Sequence, residues 1–322
     1  MSEPPASTAL PPDVRETIVT VGTFDGVHRG HQDVVQRLVA TARARGSRSL
    51  LVTFEPHPMQ VVNPAAAPPL LMVGDEKLEA LAESGIDYVA VVPFTRALAA
   101  LDAARFVDEV LVARYRVRHL LMGHDHGFGR GRSGDEATLR RLGEARGFTV
   151  EAVEPVLGPG GQPISSTAIR RAVAGGDLAR AAEALGRPYA VAGRVVHGAQ
   201  RGRLLGFPTL NIPWPAAPKL LPPQGVYAVA VQTGAGWFGG MLNLGPRPTF
   251  DDASLTLEAH LFDAAGDFYG SRVRIDFLAR LRDTVRFDAP EALRRQLVRD
   301  EADARRVVAR ARGEFPDSVD VR

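Results

Sequence analysis

Val21-Gly22-Thr23-Phe24-Asp25-Gly26-Val27-His28-Arg29-Gly30-His31 is the stretch on which the reading of this 322-residue chain turns. It joins residues 17–22, a short run rich in β-branched side chains, to residues 31–45, where apolar positions recur at helical spacing. A glycine-rich passage from strand to helix offers free backbone N–H groups and the positive end of the helix dipole, which together make an anion site. His28 and His31, three apart at a helix start, share one face. Each can donate an N–H to a phosphate oxygen and stabilise charge on a pentacoordinate phosphorus. Gly30 lets a phosphate approach the backbone. The plain alternative is that one histidine caps the helix and the other packs.

Outward from that stretch, β-rich runs at 17–22, 49–54, 88–94, 119–123 and 148–153 alternate with helical patterns at 31–45, 75–84, 103–114 and 135–146. That alternation predicts βαβ units and a parallel sheet covered on both faces, a Rossmann-like half. Ligands bind beyond the carboxyl ends of such strands, so the loops after Gly22, Phe54 and Gly123 are expected to converge. A broken helical stretch over 166–185 stops at Gly186-Arg187-Pro188, where the domain boundary is expected.

After Tyr189 the texture changes. Runs at 189–197, 225–232, 237–243, 255–262 and 273–277 are separated by Gly and Pro with no helical pattern between them, which predicts an antiparallel sheet or small barrel. A charged helix over 290–312 carries a docking stripe of Leu293, Leu297, Val307 and Val308. The expected organisation is a disordered lead-in (1–16), domains at 17–186 and 187–313, and a tail (314–322).

Composition excludes several chemistries. Absence of Cys removes disulfides, thiolate zinc sites and a cysteine nucleophile, and suits a cytoplasmic protein. Only Lys77 and Lys219 are lysines among 39 basic residues, so there is no Walker-type phosphate loop and phosphate must be met by Arg, backbone or metal. The proline-rich N-terminus lacks a basic region and is not read as a secretory signal. No apolar run is long enough to cross a bilayer, and a net charge of +2 recruits no particular partner.

The GxFDGxHxGH pattern resembles the HxGH nucleotidyltransferase superfamily. With Phe54-Glu55-Pro56-His57-Pro58, Gly123-His124-Asp125, Phe128-Gly129-Arg130-Gly131-Arg132-Ser133-Gly134-Asp135 and Ile164-Ser165-Ser166-Thr167, it is similar to the FAD-synthetase module of bacterial bifunctional riboflavin kinase/FAD synthetases. The resemblance implies His28 and His31 as catalytic groups. It implies ATP contacts at Gly22, Phe24, Asp25, Gly26, Gly30, Ser165, Ser166, Thr167 and Arg170, and FMN contacts at His57 and Asp125. The chain departs from that family at Thr23, His126 and Gly127.

The second half independently resembles the riboflavin-kinase module. Its PTAN motif stands here as Pro208-Thr209-Leu210-Asn211, within reach in sequence of the Gly- and Arg-rich segment 198–206. Thr209 and Asn211 are expected to ligate Mg²⁺ through hydroxyl and amide oxygens. Gly202, Gly206 and Pro208 are expected around ATP. Glu258, an acid amid an apolar strand, is the candidate general base for the ribityl hydroxyl, and a solvent-facing strand residue is its plain alternative. Phe250, Leu261, Phe262 and the C-terminal helix could line a flavin slot.

The implied activity is ATP-dependent phosphorylation of riboflavin to FMN, then adenylylation of FMN to FAD. The expected partners are these small molecules, with no nucleic acid and no membrane, and homo-oligomerisation left open. Two other readings compete. Zinc or manganese could sit among His28, His31, His57, His124, Asp125 and His126. The β-rich half could be an RNA-binding barrel, but it lacks aromatic residues interleaved with basic ones.

Overall fold

The computed structural model describes residues 10–123, 129, 133–198, 201–215, 218–247 and 252–314. By its internal packing the chain separates into two compact units, Met1–Ser166 and Thr167–Arg322.

In the first unit, β1 (Thr17–Val21), β2 (Arg48–Glu55), β3 (Tyr88–Pro93), β4 (Val117–Gly123) and β5 (Thr149–Val153) form a parallel sheet in the order β3-β2-β1-β4-β5. Alternate residues of β1 enter cores on opposite faces, which is why this strand is buried throughout. Ile18 packs with Val35 and Leu38 of α1 (Arg29–Arg45), whereas Val19 and Val21 join Phe106, Leu111 and Leu139. The remaining helices are α2 (Pro58–Val62), α3 (Glu76–Ala82), α4 (Arg96–Ala99), α5 (Ala103–Phe106) and α6 (Glu136–Arg146). The single helix expected at 103–114 is instead α5 followed by a wider π-helical stretch, Val107–Val112. That winding still buries Val107, Val110 and Leu111.

Residues 10–16, expected within a disordered lead-in, are placed against the first unit. Leu10 packs against the core, Val14 is buried, and the Val14 carbonyl accepts a hydrogen bond from Arg116, so the chain is fixed from residue 10.

The second unit opens with most of α7 (Ser166–Ala174), then α8 (Leu178–Leu185). By packing, the division falls before α7, while the sequence places the boundary at residue 186. The cause is that α8 buries Leu178, Ala181 and Leu185 and packs on β6 and β11. Strands β6 (Tyr189–Arg194), β7 (Leu210–Pro213), β8 (Gly225–Thr233), β9 (Gly236–Arg247), β10 (Asp252–Leu261) and β11 (Arg272–Arg282) lie in the order β6-β11-β8-β9-β10-β7, every pairing antiparallel.

The two edges meet where the Val196 N–H donates to the Asn211 carbonyl at 2.8 Å, closing the sheet on itself as the barrel reading expected. Leu257, Ala259, Leu242, Leu244, Tyr227, Val229, Ile275 and Phe277, all fully buried, form the inward face. The outward face is covered along β8, β9 and β11 by α10 (Pro290–Glu314), whose Ala304 and Val308 join Met241 and Phe262 in one cluster. Two elements were not expected: the short strand β7 and a helical turn, α9 (Arg201–Leu204), between β6 and β7.

Candidate functional site

The first unit's sheet order reverses between β1 and β4, so the loop after Val21 opens at a topological switch point. Phe24, Gly26 and Val27 all take positive φ (48°, 91° and 38°), folding the loop back on itself. Phe24 is 2% exposed and packs beneath His31, ring centroids 4.9 Å apart. The Asp25 carboxylate is buried and accepts the Leu71 and Met72 N–H groups at 3.0 and 2.9 Å. The Phe24 and Asp25 side chains therefore shape the loop from within, which leaves their backbone as the part that could meet ATP. Gly22 donates its N–H to the Val52 carbonyl, and Ser166 Oγ donates to the Asp25 carbonyl at 2.8 Å.

The two histidines satisfy both readings of their spacing. His28 is the N-cap of α1: its Nδ1 accepts the His31 N–H at 3.3 Å. That acceptor role leaves the ring proton of neutral His28 on Nε2. The His28 and His31 rings stack with centroids 3.6 Å apart and planes 18° apart. A Cβ on Gly30 would lie 3.3 Å from His28 Cε1 and Nδ1, so the tight contact that this glycine permits is with the histidine ring.

Farther along the same sheet edge, His57 follows β2 and caps α2, its Nδ1 accepting from Met59 at 3.2 Å while Gln60 reaches back to the His57 N–H. Ser165 and Ser166 lie at the start of α7, with Ser166 tied to the loop; Thr167 and Arg170 fall in the second unit. Asp125, with His124 and His126, lies outside the described residues. Among those described, no three His, Cys, Asp or Glu side chains group as a metal centre.

The sequence reading passed over Lys77. Its Nζ donates to Thr53 Oγ1 at 3.0 Å, and Thr53 Oγ1 donates to the Thr23 carbonyl at the same distance. Burial pushes its pKa below that of an ordinary lysine, while Asp25 and Glu55 pull it the other way.

In the second unit, Glu258 on β10 pairs across to Asn211 on β7 and to Asn243 on β9, so three polar side chains form a row on one face of the sheet. This is the barrel's outer face, because Leu257 and Ala259 on either side of Glu258 point inward. Glu258 is nonetheless half-buried, with Thr256 Oγ1 3.5 Å from its Oε1. Asn211 is 7% exposed, and its Nδ2 donates to the Thr209 carbonyl at 3.4 Å. Gly198 makes this possible: a Cβ there would stand 2.3 Å from Asn211 Cγ and Oδ1.

The segment carrying Gly202, Gly206 and Pro208 doubles back on itself. Phe207 N–H donates to the Gly202 carbonyl at 2.8 Å, Gly206 turns with φ 86°, and the Pro208 carbonyl accepts His260 Nδ1–H at 2.7 Å. His260 stands two residues from Glu258, so this loop is tied beside the polar row. The residues named for a flavin slot do not share one face. Leu261 points inward, and Phe262 is 6% exposed beneath α10 with the Arg305 guanidinium 4.4 Å from its ring centroid; Phe250 lies outside the described residues.

Comparison with known proteins agrees with this division. The FAD synthetase family pattern matches residues 10–168 and the riboflavin kinase family pattern residues 185–308. A bifunctional riboflavin kinase/FMN adenylyltransferase of Escherichia coli K12 is 42% identical over 289 residues, covering 89% of this chain and 91% of its own. That of Pseudomonas fluorescens is 41% identical over 301 residues, covering 93% and 96%. Among solved structures, one described as a macrolide-efflux protein from Streptococcus pneumoniae superposes with a TM-score of 0.78 at 30% identity, covering 92% of this chain and 95% of that one. No helix among the described residues is long and apolar enough to cross a membrane. With both family patterns matched in order and these relatives aligned over most of their length, the chain belongs to the bifunctional riboflavin kinase/FMN adenylyltransferase family.

Proposed function

We propose that the chain makes FMN and then FAD, with each reaction housed in its own unit. The observation that carries this reading is the separation of two different constellations: a capped and stacked histidine pair at an anion-binding loop, and an Asn-Glu-Asn row on a barrel.

In the second unit, Glu258 takes the proton from the ribityl 5′-hydroxyl as that oxygen bonds to the γ-phosphorus of ATP. The bond from that phosphorus to the β,γ-bridging oxygen breaks and ADP leaves. Thr209 and Asn211 would hold Mg²⁺. Their hydroxyl and amide oxygens, with the Glu258 carboxylate across the strand from Asn211, suit a hard cation that keeps waters and binds phosphate. When bound, the ion supplies charge neutralisation on the transferred phosphoryl group.

In the first unit, a phosphate oxygen of FMN bonds to the α-phosphorus of ATP, and the bond to the bridging oxygen breaks to release pyrophosphate. No protein nucleophile is needed. His28 Nε2–H and His31 donate to the phosphoryl oxygens, while the α1 N-terminus adds its dipole. Ser165 and Ser166, at the end of this unit, are assigned to the polyphosphate, and His57 and Asp125 to FMN. We place the protein in the cytoplasm, acting on these small molecules.

The decisive experiment incubates purified protein with riboflavin, ATP and Mg²⁺ and follows products by chromatography. FMN appearing first and FAD after it supports both assignments. FMN accumulating alone overturns the adenylyl-transfer half, and absence of both products overturns the whole reading.

A further inference from the structure

Lys77 stands at the carboxyl edge of the parallel sheet, on α3, outside every motif that carries the family resemblance. Three observations single it out. Its ammonium is joined through Thr53 to the Thr23 carbonyl of the phosphate loop, two hydrogen bonds of 3.0 Å in series. Asp25, inside that loop, and Glu55, at the end of β2, both act on it electrostatically. This chain also uses arginine at nearly every basic position, yet keeps lysine here. A compact ammonium suits a half-buried position with a single hydroxyl acceptor, Thr53, where the broad planar guanidinium needs a fork of acceptors.

A buried carboxylate at Asp25 and an exposed one at Glu55, both near the loop after β1, would repel a triphosphate and a flavin phosphate brought to that loop. We propose that Lys77 is a positioning residue of the adenylyl-transfer site, offsetting the Asp25 and Glu55 carboxylates and fixing the Thr23 carbonyl so that the loop can accept polyphosphate. This rests on the adenylyl-transfer reading of the first unit. Asp25 already holds the Leu71 and Met72 amides, which draw the segment just before α3 onto the loop, so the lysine and the carboxylate belong to one assembly.

The test uses the full chain and measures both reactions in each variant. Lys77→Gln removes the charge and keeps an N–H donor on a side chain one bond shorter. It is expected to lower kcat/KM for FMN adenylylation by about tenfold or more, mainly through a higher KM for ATP. Riboflavin phosphorylation should stay within about twofold, since its groups lie in the other unit. Adding Glu55→Gln to Lys77→Gln removes one uncompensated carboxylate and is expected to recover at least roughly a third of the logarithmic loss.

Packing by the lysine stem would not respond to Glu55, so recovery separates charge compensation from a structural role. Adenylylation unchanged in Lys77→Gln overturns the proposal, as does a loss that Glu55→Gln leaves untouched. A failure of both variants to fold makes Lys77 a structural residue and overturns it too. Wild-type enzyme that forms no FAD overturns instead the reading on which the proposal stands.

Discussion

Glu258 on β10 lies directly across from Asn211 on β7, and Asn211 is also the residue at which the barrel's two edges meet. The carboxylate assigned to proton abstraction and the amide assigned to metal binding are thus held by the same seam. Their spacing follows from strand register, not from loop conformation. Sites built on paired strands keep their geometry better than sites on loops, which suits a reaction dominated by positioning.

Glu258→Gln keeps the size and register of the side chain and removes the base. Riboflavin phosphorylation is expected to fall about 10² to 10⁴-fold, the usual contribution of a general base, while supplied FMN is still converted to FAD at the wild-type rate. Single-turnover assays of the two steps check this. Retained phosphorylation would move the base elsewhere.

His28 holds two roles that substitution can separate. His28→Ala removes both the ring N–H and the cap of α1, and is expected to cost about 1 kcal/mol of stability in addition to adenylyl transfer. Asn is among the better capping residues, so His28→Asn should melt close to wild type while FAD formation stays down by roughly 10² or more. Equal FAD formation in His28→Asn and wild type would reduce His28 to a cap.

Much of this was readable beforehand, for physical reasons that also explain the gaps. The β1–α1 loop announced itself because positive φ and a close backbone approach call for glycine, and two histidines stand beside those glycines. β7 did not, because four residues that follow Pro208-Thr209 and end in Pro213 carry no periodicity, and only pairing with β10 makes Leu210–Pro213 a strand. Asp25 reads like a ligand in sequence, but its carboxylate is spent on two backbone amides that come from more than forty residues away. Lys77 sits in an ordinary charged helix. The signal that could have found it was its rarity among basic residues.

Gly198→Ala tests the seam from the other side. The added methyl would lie 2.3 Å from the Asn211 amide, closer than real Cβ atoms approach anything, so either the amide or the strand must shift. Phosphorylation is expected to fall at least about tenfold with a raised Mg²⁺ requirement, and FMN adenylylation to persist. Titrating Mg²⁺ in the kinase assay reads this directly, and an unchanged requirement would detach Asn211 from the ion.

Asp276 gives the second unit a pH dependence of predictable sign. It is fully buried on β11, paired with Arg274 at 2.8 Å and influenced by Arg187, and burial raises its pKa from 3.8 to about 6 despite those cations. Between those two values the folded chain holds a proton that the unfolded chain has released. Stability from this group is therefore present at low pH and lost as pH rises through about 6, a swing on the order of 3 kcal/mol. Asp276→Asn removes it, so wild-type stability minus variant stability should fall between about pH 4 and pH 7. Both tryptophans, Trp214 and Trp237, lie in the second unit, so urea unfolding followed by tryptophan fluorescence reports on that unit. Parallel pH profiles for the two proteins would show that Asp276 is ionised in the folded state throughout, with Arg274 and Arg187 outweighing the cost of burying its charge.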